Sequence, residues 1–225
     1  TSVLLVLGIV LGLMPLSAFA AESAKKPLTD EVNGNTYTYM PLDDSTVELT
    51  GFEPKATAAN AVIHSPVTLN GKVYSVVSIG SQAFAYCKAL KSVQFKAPIE
   101  SIGEGAFLEC PELGEVELPA SIRSIGTAAF LGCAKWETVK LGNSVVSIGE
   151  NAFALCTNLK SVTIPSSVQT IGAHAFSFGP GGEGKQLVEL HYTGTQEQWD
   201  GLAKKYDFEN INPLLYKPKN FDCAH

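Results

Sequence analysis

The sequence predicts an α/β solenoid of parallel strands, closed by a β cap at one end and a short helical cap at the other. Three observations carry this. Ile-Gly recurs at 79–80, 102–103, 125–126, 148–149 and 171–172, a step of 23 residues each time. Ala-Phe pairs ending at Phe84, Phe107, Phe130, Phe153 and Phe176 keep that step, as do Cys87, Cys110, Cys133 and Cys156. The segments flanking this array are unlike it, with hairpin turn signals before and helical spacing after. A unit this short cannot bury its apolar side alone, so equivalent residues of stacked units share one core.

In chain order, residues 3–16 carry no charge and are followed by Ala18-Phe19-Ala20. The run is shorter than the roughly 20 residues of a membrane span, and the small-residue triplet suits cleavage. Residues 1–20 are therefore expected to be an export signal cut after Ala20. Residues 21–62 are expected to be a linker and a β-hairpin cap. Asn33-Gly34 and Asn70-Gly71, each between alternating apolar runs, are hairpin turn signals. Val47, Leu49 and Phe52 supply a further run, so a small antiparallel β region is predicted over about 31–76.

Residues 63–194 are expected to be the array, with regular units at 74–96, 97–119, 120–142 and 143–165 and a fifth unit from Ser166. In each unit an alternating stretch such as Leu159-Lys160-Ser161-Val162-Thr163-Ile164 reads as a strand with one buried face. A short extended piece ending at Gly and one helical turn around Ala-Phe should follow. The Gly column implies either positive φ or a site too crowded for a Cβ. In the fifth unit Gly179 replaces Cys and residues 180–184 are inserted. Residues 195–225 are expected to be the second cap. Thr195-Gln196-Glu197-Gln198 is a capping box, Trp199, Leu202, Ala203 and Tyr206 follow at helical spacing, and Phe221-Asp222-Cys223 suggests a closing strand.

The pattern Ile-Gly-x-x-Ala-Phe-x-x-Cys-x-x-Leu-x-x-Val-x-Ile-Pro resembles the BspA-like class of leucine-rich repeats over about 63–225. Trp136 at a Leu position and Gly142 at the Pro position depart from it. The resemblance implies a right-handed superhelix. It also implies an exported, often surface-displayed protein associated with adhesion and protein binding.

Composition bounds the alternatives. The chain has 225 residues, 45% of them apolar, and a net charge of −6. That excludes a disordered chain, and a single arginine (Arg123) with an acidic balance disfavours nucleic acid as a partner. Successive cysteines of the ladder have 22 residues between them, unlike the short local spacing of metal sites, and are read as small buried thiols. Disulfides between stacked neighbours would need Cβ atoms closer than parallel vectors allow. Cys223 is the one outside the ladder. The run from Gly179 to Gly184 matches G-x-G-x-x-G by letter but lacks the preceding strand and following helix that phosphate binding needs. His64, His174, His191 and His225 have no catalytic motif around them, and Asp43-Asp44 reads as a solvated turn. No catalytic residue, cofactor or metal is predicted.

What remains is the outward face of the strands. Its columns are Gln94, Glu117, Lys140, Thr163 and His191, and beside them Ser92, Glu115, Thr138, Ser161 and Glu189. A partner is expected there, with Glu117 and Lys140 as a cross-strand pair. Five strands by four residues give about 320 Å², against about 800 Å² per partner in a standard interface. The face alone should bind weakly. The function expected is non-catalytic binding of a protein or surface ligand. A rigid spacer of a larger surface protein is the alternative, and a hydrolase of surface polymers a weaker one.

Overall fold

The computed structural model describes residues 25–54, 59–114, 116–178 and 188–207. The expected signal segment, Gly179 with the insertion at 180–184, Glu115, the closing strand with Cys223, and His225 lie outside them.

Turn chemistry sets the N-terminal strands. β1 (Leu28–Val32) and β2 (Asn35–Pro41) form an antiparallel hairpin about Asn33-Gly34, both at positive φ. β2 pairs antiparallel with β3 (Thr46–Glu53). Between them Asp43 accepts bonds from the Ser45 and Thr46 amides and hydroxyls, which hold its carboxyl well below the usual range. β4 is Ala59–His64, and β5 (Val67–Leu69) and β6 (Lys72–Ile79) form the second hairpin, about Asn70-Gly71.

The expectation of an antiparallel cap holds for β1–β2, β2–β3 and β5–β6 and needs correction where the cap meets the array, because β3 pairs parallel with β6, and β4 parallel with β7 (Leu90–Lys96). The cap thus enters both ladders of the solenoid and continues its geometry. The aromatic column continues too. Phe84, Phe107, Phe130, Phe153 and Phe176 stack at centroid distances of 4.8–5.3 Å, and Phe52 and Tyr37 extend the column into the cap. Two side chains blunt the free edge of β4: the Val62 amide donates to Tyr37 Oη, and Asn35 Nδ2 donates to the Asn60 carbonyl. An unblocked edge would be a template for unwanted pairing.

Beyond the cap, β8 (Ser101–Ile102), β9 (Ser124–Ile125), β11 (Ser147–Ile148) and β13 (Thr170–Ile171) continue β6 as one parallel ladder. The Gly after Ile102, Ile125, Ile148 and Ile171 is required by crowding rather than by φ. A Cβ on Gly103, Gly126, Gly149 or Gly172 would sit 2.3–2.7 Å from backbone of the preceding coil.

After that Gly the chain makes β-turns, not the expected helical turn. Gln82 and Tyr86 take positive φ, as do Gly105 and Glu109 one coil on. Within the first coil Ala85 N bonds Gln82 O and Cys87 N bonds Phe84 O. The intervening amides of Gln82, Phe84 and Tyr86 donate to Glu104, Ala106 and Leu108 of the next coil, at 2.7–2.9 Å. A helical turn would direct these donors along its own axis and leave the neighbouring coil's carbonyls without them.

The second ladder is β10 (Thr138–Lys140), β12 (Ser161–Ile164) and β14 (Glu189–Tyr192). α1 (Gln196–Lys205) closes the stack with the predicted capping box. Trp199 and Leu202 are its buried residues, Trp199 packs on Tyr192, and Tyr206 Oη donates to the Gln169 carbonyl of the last coil.

Candidate binding face

In the second ladder Thr138, Ser161 and Glu189 lie in register, as do Lys140, Thr163 and His191. The strands alternate, so Val139, Val162 and Leu190 are buried between these rows. Six of the nine expected site residues are therefore brought onto one small sheet. Its chemistry is mild: exposed or half-buried hydroxyls, one ammonium, and a Glu189 carboxylate 3.3 Å from His191 Nε2.

Gln94 is separated from this sheet. It lies on β7, which among the described strands pairs with β4, and the neighbouring Ser92 hydroxyl donates to Asn60 Oδ1 at 2.8 Å. Between β7 and β10 no strand forms at 116–118, so Glu117 stands on an unpaired segment and Glu115 lies outside the described residues. Among the described residues of this segment, the Gly114 amide reaches across, to Lys91 O at 3.0 Å. The continuous five-strand face expected from the columns is thus corrected to a two-strand and a three-strand piece. The cause is local. Gly114-Glu115-Val116-Glu117 combines a glycine with two glutamates, all poor strand formers, whereas the coils that form strands offer Ser-Val-Gln, Thr-Val-Lys, Ser-Val-Thr and, with one glutamate and no glycine, Glu-Leu-His.

The break leaves two clefts flanking 116–120. One, of about 600 Å³, touches Val116, Leu118, Thr138, Lys140 and Leu141. The other, of about 540 Å³, opens toward Gln94 and Lys96. The expected Glu117–Lys140 pair is not made. The ion pairs beside the face are Lys135–Glu112 and Lys160–Glu137, both at 2.8 Å, exposed and each bridging adjacent coils. Sequence columns could not reveal this gap, because Val116 and Leu118 keep the period while the ladder around them is lost.

The thiol ladder has the chemistry of a core. Cys110, Cys133 and Cys156 are buried, and each S–H donates to a carbonyl of the preceding coil: Phe84 at 3.1 Å, Phe107 at 3.4 Å and Phe130 at 3.4 Å. Burial pushes Cys110 and Cys156 up to about 12 and Cys133 well above its ordinary value. A nucleophilic or ligating cysteine needs the opposite shift. Among the described residues no group of three His, Cys, Asp or Glu is placed to hold a metal ion. His64 and His174 are exposed. Asp44 pairs with Lys72 at 2.9 Å, and Asp43 holds its own turn.

The family model described as BspA type leucine rich repeat region matches residues 73–179 in six copies. A leucine rich repeat protein of T. pallidum is similar at 26% identity and a TM-score of 0.58, over 72% of this chain and 71% of that one. A leucine rich cell surface protein of Faecalibacterium prausnitzii gives 26% identity and a TM-score of 0.60, over 77% of this chain. A leucine-rich repeat protein of Bacteroides ovatus gives 26% and 0.53, over 69%. This chain spans 42% and 45% of the length of the last two. No curated protein matches it. Among the described residues no helix is long and apolar enough to cross a membrane.

Proposed function

We propose that this chain, whose residues 73–179 are a BspA type leucine rich repeat region, is a non-catalytic protein-binding module of an exported bacterial protein that acts in adhesion at the cell surface. The observation that carries the reading is the sheet of β10, β12 and β14. It presents two registered rows of polar side chains on an aromatic stack, while Cys110, Cys133 and Cys156 are buried in the stack, Cys87 is half-buried against it, and the histidines are scattered. Export is supported by the Ala18-Phe19-Ala20 site after an uncharged run. The surface assignment is supported by likeness to the F. prausnitzii protein described as a cell surface protein. The proposed contact residues are Gln94, Glu115, Glu117, Thr138, Lys140, Ser161, Thr163, Glu189 and His191.

The face is small, and useful adhesion relies on many displayed copies or neighbouring modules. The experiment is surface plasmon resonance of the purified chain against a panel of immobilised extracellular proteins. Saturable binding to a panel member is expected, reduced at least tenfold when Glu117→Lys and Lys140→Glu are combined, with Tm unchanged. A spacer would bind nothing, or bind equally well after the charge reversal.

A further inference from the structure

We propose that the open edge of β10 docks an extended peptide strand of the partner, paired in parallel through backbone hydrogen bonds. This deepens the protein-binding reading and rests on it. In a parallel ladder alternate residues of a strand serve alternate neighbours. Leu141 N donates to Thr163 O at 3.1 Å, so the groups of Val139 and the Leu141 amide face β12. Those of Thr138 and Lys140 face the other way, toward 116–118. No backbone hydrogen bond joins 116–118 to Thr138 or Lys140. The second ladder therefore ends there in open donors and acceptors, on the wall of a cleft of about 600 Å³.

An unpaired strand edge is a template for another strand, and pockets beside it select alternate side chains. The edge of β4 shows what this protein does with an edge that must stay closed: Tyr37 and Asn35 cover it. At β10 no side chain among the described residues does so. The volume falls within the ~300–1,000 Å³ range of ligand sites. Val116, Leu118 and Leu141 supply apolar wall, and Glu117 and Lys140 carry opposite charges nearby. The occupant this fits is a short segment with β-branched residues at alternate positions and polar residues between. β12 is such a segment, and it already pairs in parallel with the opposite edge of β10.

The test uses the full chain and a synthetic peptide of sequence Lys-Ser-Val-Thr-Ile-Pro, that of β12 with its flanking residues. By NMR the Lys140 amide should exchange quickly in the free protein and at least tenfold more slowly with saturating peptide, while Leu141 stays protected throughout. Lys140→Ala removes the charge but keeps the amide and should bind the peptide within threefold of wild type. Lys140→Pro removes the same charge and also the backbone donor that faces the cleft, and should weaken binding at least tenfold relative to Lys140→Ala.

If Lys140→Pro fails to fold, Gly114→Lys with Glu117→Thr gives that coil the strand composition of its neighbours. The Lys140 amide should then be protected without peptide, and peptide binding should be lost. Equal binding by Lys140→Ala and Lys140→Pro overturns the proposal, as does a Lys140 amide as protected as Leu141 in the free protein, or no peptide binding. Panel binding that is lost on charge reversal but indifferent to Lys140→Pro would sink the strand docking alone. No binding to any panel member would sink the broader reading.

Discussion

The two ladders of this solenoid run along the same coils at the same period, yet one is continuous and the other is broken. From β6 through β8, β9 and β11 to β13 the Ile-Gly ladder pairs at every step. The opposite ladder pairs β4 with β7, then β10 with β12 and β14, and fails between. The closed side has little freedom to fail: its Gly column lets backbones approach where a Cβ would meet the neighbouring coil at 2.3–2.7 Å. On the open side a strand forms only where local composition favours it, so Gly114 and two glutamates suffice to undo one rung. A repeat period thus fixes which side chains share a column, and a separate, weaker rule fixes which strands close.

The shared core should respond most strongly. Phe130 stacks on Phe107 and Phe153 and touches Trp136, whereas the stacked neighbour of Phe176 is Phe153. Phe130→Ala is expected to cost about 3–5 kcal/mol, the usual range for a fully buried Phe. Phe176→Ala should cost less. Urea denaturation of both variants checks this, and equal losses would contradict nearest-neighbour stacking.

The closed ladder comes next. A Cβ on Gly149 would lie 2.4 Å from Thr127 N, which is backbone and cannot rotate away. Gly149→Ala is expected to cost about 1–3 kcal/mol, the range for overpacking. A neutral result by thermal denaturation would mean that the coils slide past one another easily, and that closure on this side is not enforced by contact.

These two expectations also mark what was legible in the sequence. The columns, the core, the capping box of α1 and the burial of Cys110, Cys133 and Cys156 followed from spacing and residue type, whereas Cys87, in the first coil, is only half-buried. The parallel entry of β3 and β4 did not, because Val47, Leu49 and Phe52 lie outside the period, and nothing local distinguishes a parallel from an antiparallel partner. The helical turn expected at Ala-Phe was wrong for a reason external to that segment: its amides are claimed by the next coil's carbonyls. At the face, the rows of β10, β12 and β14 were legible, but the gap at 116–118 was hidden because Val116 and Leu118 keep their places in the repeat.

Alkaline pH tests the buried thiols at the interior of the stack. Burial raises Cys110 and Cys156 to about 12, so the folded state disfavours their ionisation. Their stabilising effect is fully present below the unfolded value, about 8.5, and is lost as pH rises toward the folded one. At pH 10 the loss should be about 1–2 kcal/mol per thiol. Between pH 7.5 and pH 10, Cys156→Ala should lose less stability than the parent chain. An identical pH slope for the two would show that this thiol ionises freely in the fold.

The smallest effect separates the ladders most cleanly. A Cβ on Gly114 would meet only Lys91 O, at 3.4 Å, an ordinary contact, in contrast to the clash at Gly149. Gly114 also has no positive φ to protect. Gly114→Ala should therefore stabilise by about 0.5–1 kcal/mol, chiefly by reducing the freedom of the unfolded chain. The same substitution at two glycines of one repeat protein would then change stability in opposite directions. If Gly114→Ala instead destabilises as Gly149→Ala does, the segment at 116–118 is already held as tightly as the closed ladder, and the difference between the two sides of the solenoid disappears.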